Sequence, residues 1–246
     1  MLAKGKTQQA KLAISYSNPL LESTSRSVVA SDWNPCGSTV PAMPDSLLLL
    51  QVLLSGPVVN VQTAAEAIRN DVGLTIRFLQ FIGSQANPAE VSISKHLVLT
   101  GISRLRALTA NTEIIARHPK GRAGLRMCER FWAHARLTAL MAEELAQKQR
   151  TVDSEQAYLA GLLFRIGELP EVLGWENHDF LTGSDSYRGY ALAVRWNLPL
   201  VLREVIRADE ETCSAEACEL LRCVKAADQQ ALHIENLVTQ YARGVF

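Results

Sequence analysis

The sequence predicts an all-α protein built as two helical lobes. From residue 44 onward, apolar residues recur every three or four positions, which is the spacing of one face of an α-helix. No stretch between turn residues shows the alternation of apolar and polar positions that is typical of a half-buried strand. Capping residues precede many of the apolar segments and Gly or Pro follows them, so we expect separate helices with few strands or none.

A basic stretch at residues 117–122 interrupts this helical pattern and divides it into two parts. We expect an N-terminal helical lobe over residues 41–117 and a second helical lobe over residues 124–246. Residues 1–40 are rich in Ser, Thr, Asn and Pro and carry only scattered apolar positions. They are therefore interpreted as an N-terminal arm with little structure of its own.

Local signals place the first two helices. Asp45 can cap the first helix, which Gly56 and Pro57 then end. Thr63 and Glu66 have the spacing of a capping box, in which the hydroxyl and the carboxylate satisfy free backbone amides at a helix start. We therefore expect the second helix to begin at this pair.

Two further helices complete the first lobe. Asp71 is the expected cap of the third helix, which runs to Gly83. Ser94 is the expected start of the fourth, with Arg104 and Arg106 pointing toward water. The apolar positions of the fourth helix, all expected to face inward, are Leu97, Val98, Ile102, Leu105 and Leu108.

The second lobe begins with a long helix over residues 125–146, whose small residues on one face permit close packing of a neighbouring helix. The next helix is expected to begin at Asp153 or Ser154, and Gly167 loosens or ends it. Pro199 suits a first helical turn and Ser214 suits a helix cap. Three more helices are expected, over residues 186–196, 199–209 and 214–243.

Composition limits the classes of function. The chain has 246 residues, of which 25 are basic and 25 acidic, so its formal net charge is zero. A hydrophobic share of 48% excludes a mostly disordered chain. Because a general nucleic-acid binder usually carries a strong basic excess, nucleic acid is not an expected partner, although a local basic patch stays compatible with this balance.

The sequence also predicts a cytoplasmic protein without membrane association. Residues 7–9 are polar where a signal peptide needs apolar residues, and the apolar run at residues 47–54 is far shorter than the ~20 residues that span a bilayer.

The five cysteines form no Cys-x-x-Cys pair, so reduced thiols are expected. A spacing of five residues would turn Cys213, Cys218 and Cys223 about 140° apart on a helix, which excludes a metal cluster.

Several strings follow one another in a recognisable order. They are Val-Pro-Ala-Met-Pro at residues 40–44, Asn-Asp-Val-Gly-Leu-Thr at 70–75, Leu-Thr-Gly-Ile-Ser-Arg-Leu-Arg at 99–106, Phe-Trp-Ala-His at 131–134, Tyr-Leu-Ala-Gly-Leu-Leu at 158–163, and the segment from 189 to 199. Together they resemble the HDOD domain, a bacterial signalling module related to HD-type metal phosphohydrolases, over about residues 40–210. Val72 stands where that family usually has proline.

The resemblance implies a divalent metal site in catalytic relatives, held by one His, a following His-Asp pair and a further Asp. His134 lies at the first ligand position, but Phe164 and Arg165 stand where the pair is expected. Phenylalanine has no donor atom, and arginine brings a fixed positive charge into the space of a cation. We therefore expect no catalytic residues, no bound metal and no cofactor.

The matching positions define a candidate vestigial pocket of His134, Arg165, Glu168 and Asp185. Arg165 is expected to form an ion pair with Glu168 or Asp185, or to hold a phosphate of a small phosphorylated ligand. For His134, the alternative to a remnant site is a hydrogen-bonded core or interface residue.

A second candidate site is a basic interaction patch that could attract phosphates or an acidic partner. Its alternative is a solvated connection between the two lobes. Glu129 is the only acidic residue in this segment. The basic residues of the patch are Arg117, Lys120, Arg122, Arg126 and Arg130.

These features predict a non-enzymatic HDOD-like regulatory protein that transduces a signal by binding a protein partner, whose identity the sequence does not reveal. One alternative is a residual HD-type phosphohydrolase acting on nucleotides or cyclic dinucleotides. Another is a nucleic-acid-binding regulator that uses the basic segment, for which binding would depend strongly on salt.

Overall fold

The computed structural model describes residues 40–82, 91–116, 120–175 and 183–244, which form eleven α-helices and one 3₁₀ turn. The all-α prediction is confirmed, since an isolated bridge between Ala42 and Ile114 is the only strand-like pairing in these ranges. The predicted arm lies outside the described residues except for Val40. The elements are α1 (Pro44–Ser55), α2 (Val61–Arg69), α3 (Val72–Ile82), α4 (Ile93–Thr100), α5 (Ile102–Ala110), α6 (Gly121–Gln149), α7 (Ser154–Leu163), the 3₁₀ turn (Ile166–Glu168), α8 (Leu169–Leu173), α9 (Asp185–Arg195), α10 (Leu200–Arg207) and α11 (Ala215–Ala242).

The start of α2 differs from the prediction. The side chain of Asn60 accepts a hydrogen bond from the backbone N–H of Thr63 at 3.2 Å, so Asn60 is the cap and the helix begins at Val61. The predicted capping box of Thr63 and Glu66 is therefore wrong. Glu66 instead forms an ion pair with Arg69, one turn later on the same helix.

Asp71 caps α3 as predicted, and its buried carboxylate also joins three parts of the fold. Oδ1 accepts from the backbone N–H of Leu74 at 2.8 Å. Oδ2 accepts from the backbone N–H of Met43 at 2.9 Å and from the indole N–H of Trp132 at 3.2 Å. Burial raises the pKa of Asp71, and these hydrogen bonds oppose that effect by stabilising the ionised carboxylate.

The predicted fourth helix is two helices. Gly101 lies between α4 and α5 with φ +79°, a left-handed conformation that interrupts a continuous helix and that glycine adopts readily. The cap of α4 is Ser92 instead of Ser94, since its hydroxyl accepts from the backbone N–H of Lys95 at 3.3 Å. The chain therefore changes direction in the middle of the predicted helix.

This break also changes which side chains are buried. Leu97 and Leu105 are buried as expected, whereas Val98 is 67% exposed and Ile102 is 39% exposed. Arg106, expected to point toward water, donates its Nε–H to the carbonyl of Leu54 in α1 at 2.8 Å. The inward stripe predicted for one straight helix is therefore wrong at Val98 and Ile102, on either side of the break.

In the second part of the chain, α6 packs against both α7 and α11. Its small-residue face is buried as predicted, and Ala139 lies against α7 at Gly161. Asp153 caps α7 as predicted, because its Oδ1 accepts from the backbone N–H of Gln156 at 2.8 Å. The hydroxyl of Ser214 caps α11 in the same way.

Polar contacts join the first five helices to the later ones. Nη2 of Arg69 donates to Oε1 of Glu143 at 2.7 Å, and the Tyr158 hydroxyl donates to the Arg69 carbonyl at 3.1 Å. Oε1 of Glu155 accepts from the backbone N–H of Ile93 at 2.8 Å. Both predicted lobes thus belong to one compact unit, and the boundary placed between them stays a prediction.

The expectation of reduced cysteines is wrong for one pair. Cys213 and Cys218 form a disulfide with their Cα atoms 5.7 Å apart. Cys213 precedes the first residue of α11, so the helical angle used in the prediction does not apply to it. Cys128 and Cys223 are buried free thiols. No helix in the described ranges is both long and apolar enough to cross a bilayer.

The contact between α6 and α7 gives a stability prediction. A Cβ atom added at Gly161 would lie 2.9 Å from the Cα of Ala139 and 3.0 Å from the carbonyl oxygen of Thr138. Gly161→Ala should therefore lower the free energy of unfolding by about 1–3 kcal/mol, because the two helices must move apart. Urea unfolding followed by circular dichroism measures this loss.

Gly56→Ala is the matched control. Its added Cβ atom would meet only the Val58 carbonyl oxygen at 3.4 Å, an ordinary contact, and φ is −69°. Its free energy of unfolding should stay unchanged or rise slightly. Equal stability of Gly161→Ala and the native protein would contradict the close packing described above.

Candidate functional site

Two other elements bring side chains to the carboxylate of Asp228 on α11. Arg165, just after α7, donates from Nε to Oδ1 at 2.7 Å and from Nη2 to Oδ2 at 2.8 Å. His134 of α6 places Nε2 3.0 Å from the same Oδ1. Glu168 and Glu235 extend the group, the first 3.0 Å from Nη1 of Arg165 and the second 3.0 Å from Nδ1 of His134. We refer to these five residues as the Asp228 cluster.

Local structure explains how the cluster forms. His134 lies on the buried face of α6, one turn before Thr138. Arg165 follows the last turn of α7, where the chain tightens into the 3₁₀ turn. Asp228 lies on the buried face of α11 between Val224 and Ala231. The packing of α6 against α7 and α11 therefore brings these residues together.

The charges of the cluster stabilise one another. Burial alone would raise the pKa of Asp228, but the hydrogen bonds from His134 and Arg165 overcome this effect and lower it to about 2. The hydrogen bond to Asp228 raises the pKa of Arg165. Burial opposes the charged form of His134, yet the pKa of His134 is raised because Asp228 and Glu235 both favour the imidazolium.

The donor set does not suit the divalent metal that the family resemblance implies for catalytic relatives. The two ring nitrogens of His134 face two different carboxylates, and both oxygens of Asp228 accept from the guanidinium of Arg165. Among the described residues, no group of three or more His, Cys, Asp or Glu side chains has an arrangement that could hold a metal ion. The arrangement is an ion-pair network with a fixed cation.

The structure places three of the four predicted pocket residues in this cluster: His134, Arg165 and Glu168. Asp185 lies outside it, because it is exposed at the start of α9 and pairs with Arg188 one turn later. The suggested pairing of Arg165 with Asp185 is therefore corrected, and the pairing with Glu168 is the one that forms.

Sequence reasoning missed the residue at the centre of the cluster. Asp228 lies 63 residues after Arg165 and 94 residues after His134, so no local spacing connects it to them. One signal was present: a single acid interrupts an apolar helical stripe that continues on both sides of it. That stripe consists of Leu220, Val224, Ala227 and Ala231.

The predicted basic patch is a stripe on α6. Arg122, Arg126 and Arg130 are all exposed and follow one another at intervals of four residues, so they lie along one side of the helix. Lys120 is exposed just before the first turn. Arg117 lies outside the described residues. The three arginines are called the basic stripe from here on.

Comparison with known proteins gives the class of the chain. The HDOD domain family matches residues 40–178, which is more than half of the chain and includes His134 and Arg165. This chain belongs to the HDOD family. No curated protein sequence matches it significantly.

Solved structures share the helical fold at low sequence identity. A fragment of the MmoQ response regulator from Methylococcus capsulatus has a TM-score of 0.62 and 18% identity, covering 79% of this chain and 84% of that one. A second MmoQ structure has a TM-score of 0.64 and 17% identity, covering 79% and 87%. A virulence factor from Campylobacter jejuni has a TM-score of 0.53 and 18% identity, covering 78% of each chain.

The raised pKa of His134 predicts a pH-dependent contribution to stability. A group whose pKa is higher in the folded state stabilises the fold fully below its unfolded pKa, about 6.5 for His, and loses this contribution as pH rises through the folded value. His134→Gln should therefore cost about 1.5–3 kcal/mol at pH 5.5, the range for a hydrogen bond to a charged group, and less at pH 9.

Urea unfolding at both pH values measures the difference between the variant and the native protein. The control is His233→Gln, which removes an exposed histidine from α11 and should change little at either pH. A cost for His134→Gln that is equal at both pH values, or larger at pH 9, would contradict an imidazolium held between two carboxylates.

Proposed function

We propose that this HDOD protein is a non-catalytic regulatory protein that acts by binding another protein. Its Asp228 cluster stabilises the fold, and its exposed surface carries recognition. The family supports a role in signalling, and the chemistry of the cluster supports the absence of catalysis.

The observation that carries the proposal is the paired contact between Arg165 and Asp228. A divalent cation at this carboxylate would have to displace a guanidinium that already donates two hydrogen bonds to it. The positive charge of Arg165 would also repel the incoming cation. A metal-bound water, the nucleophile of metal phosphohydrolases, therefore has no suitable position here.

The basic stripe supports a protein partner with an acidic surface. The four-residue spacing of Arg122, Arg126 and Arg130 extends over two helical turns of α6, about 12 Å. None of the three forms an ion pair within the described residues, so their charge is available to a partner. Complementary charges of this kind increase the rate of association and the specificity of a protein complex.

Restoring the expected ligand pair tests the non-catalytic assignment. The native protein should bind no stoichiometric Mn²⁺, Fe²⁺ or Zn²⁺ and should hydrolyse neither phosphomonoesters nor cyclic dinucleotides. The double variant Phe164→His, Arg165→Asp removes the cation and supplies an imidazole and a carboxylate at the two positions where the family resemblance leads one to expect metal ligands. It should bind about one metal ion per chain, as measured by equilibrium dialysis and elemental analysis.

Two controls accompany this experiment. Adding His134→Ala to the double variant should abolish the acquired metal binding, whereas Arg165→His alone restores only part of the ligand set and should yield no turnover. Stoichiometric metal in the native protein, together with phosphatase turnover that His134→Ala removes, would overturn the proposal in favour of a residual phosphohydrolase.

Charge reversal tests the partner surface. The variant Arg122→Glu, Arg126→Glu should lose most of the proteins that the native chain retains from a lysate of its host, because the stripe then repels an acidic surface. The control Arg150→Glu, Arg243→Glu reverses two exposed charges elsewhere and should retain them. Loss of the retained proteins after nuclease treatment would instead favour a nucleic-acid-binding regulator. Equal retention of these proteins by both variants would contradict the proposed role of the basic stripe in partner binding.

A further inference from the structure

A groove of about 550 Å³ lies between α3 and α5 and shares no lining residue with the Asp228 cluster. Its volume is within the range of pockets that bind small molecules. Its lining combines two guanidinium groups, two amides and apolar side chains. These residues include Arg77, Gln80, Phe81, Arg104, Leu108 and Asn111.

Helical spacing brings these residues to one place. On α3, Phe81 follows Arg77 by four residues, so the two lie on the same side of the helix. On α5, Leu108 follows Arg104 by the same interval. Each wall of the groove therefore supplies one positive charge and one apolar side chain.

Arg77 has a buried donor that the described residues leave unsatisfied. Its Nε atom is buried and has no hydrogen-bond partner in this part of the chain. Burial lowers the pKa of Arg77, and the Glu113 carboxylate opposes this only through its charge. By contrast, Arg69 and Arg165 each place a guanidinium nitrogen 2.7 Å from a carboxylate oxygen. Arg77 therefore has no hydrogen-bonded carboxylate among the described residues, and its side chain lines the groove.

Arg104 adds a second positive charge on the opposite wall. Its side chain is exposed and forms no hydrogen bond or ion pair within the described residues. Two guanidinium groups facing one groove attract an anion, and their planar donors match the oxygens of a phosphate. The side chains of Phe81 and Leu108 offer an apolar surface to the rest of such a ligand.

We propose that this groove binds a small phosphomonoester that carries an aromatic group, such as a nucleoside monophosphate. The phosphate lies between Arg77 and Arg104, and the aromatic group lies against Phe81 and Leu108. The site is separate from the Asp228 cluster, so it does not rest on the non-catalytic role proposed above. The small phosphorylated ligand that the sequence suggested for Arg165 is thus proposed to bind in this groove instead.

Calorimetric titration with phenyl phosphate and with AMP tests the site. Both should bind saturably and more tightly than inorganic phosphate, and phenyl phosphate should bind more tightly than benzoate, which has the same ring and a single negative charge. Arg104→Gln and Arg77→Gln should each weaken binding of phenyl phosphate at least about tenfold, because each removes a charge-assisted hydrogen bond. Binding should also weaken as salt concentration rises.

Matched variants make the result decisive. Arg243→Gln removes an exposed arginine just after α11 and should leave the affinity within about twofold, since an exposed charge outside the groove contributes little. Arg104→Gln alters an exposed side chain, so it keeps the test valid even if Arg77→Gln unfolds. Three outcomes would overturn the proposal: no saturable binding of either phosphomonoester, undiminished binding by Arg104→Gln, or loss of binding in Arg165→Gln with both groove variants unaffected.

Discussion

The second half of this structure depends on one buried carboxylate that pairs with both a guanidinium and an imidazole. Asp228 is only 7% exposed, and a carboxylate in that position is stable only when it is paired and hydrogen-bonded. Arg165 and His134 supply those bonds from two other elements. Because each partner is held by its own helix or turn, neither the middle of α6 nor the end of α7 can shift relative to α11 without exposing a charge. The small-residue contact between Gly161 and Ala139 lets α6 and α7, which carry or precede these two partners, pack closely together.

Pairing with a carboxylate distinguishes the arginines that stabilise the fold from the arginines that we propose for recognition. Arg69 and Arg165 each neutralise a carboxylate between distant parts of the chain, and they hold the fold together. Arg104 and the basic stripe have no such partner within the described residues. In a chain of zero net charge, binding therefore depends on local groups of unpaired charge. The proposed partner surface on α6 and the proposed ligand groove between α3 and α5 both rest on this uneven distribution of charge.

Much of the helical framework was predictable because caps act over three residues. Asp71, Asp153 and Ser214 each accept from a backbone N–H three residues later, as their sequence context indicates. The same reasoning failed where two capping residues compete within a short distance. Asn60 was overlooked beside Thr63, and Ser92 caps the helix assigned to Ser94. The division at Gly101 was also missed, since the apolar spacing continues across it while the backbone does not.

For the candidate site, the sequence by itself determined which residue types stand at the matching positions. Phe164 and Arg165 stand where the family resemblance leads one to expect metal ligands, and reading the residue types is enough to see that they cannot replace them. Only the tertiary structure decided what Arg165 does instead, which acid it pairs with, and that Asp185 belongs elsewhere. It also revealed that Arg77 and Arg104 face the same groove. The physical reason is the distance along the chain over which each interaction acts. Capping and helical periodicity relate residues within a few turns, whereas buried charge pairs form between residues that only helix packing brings together.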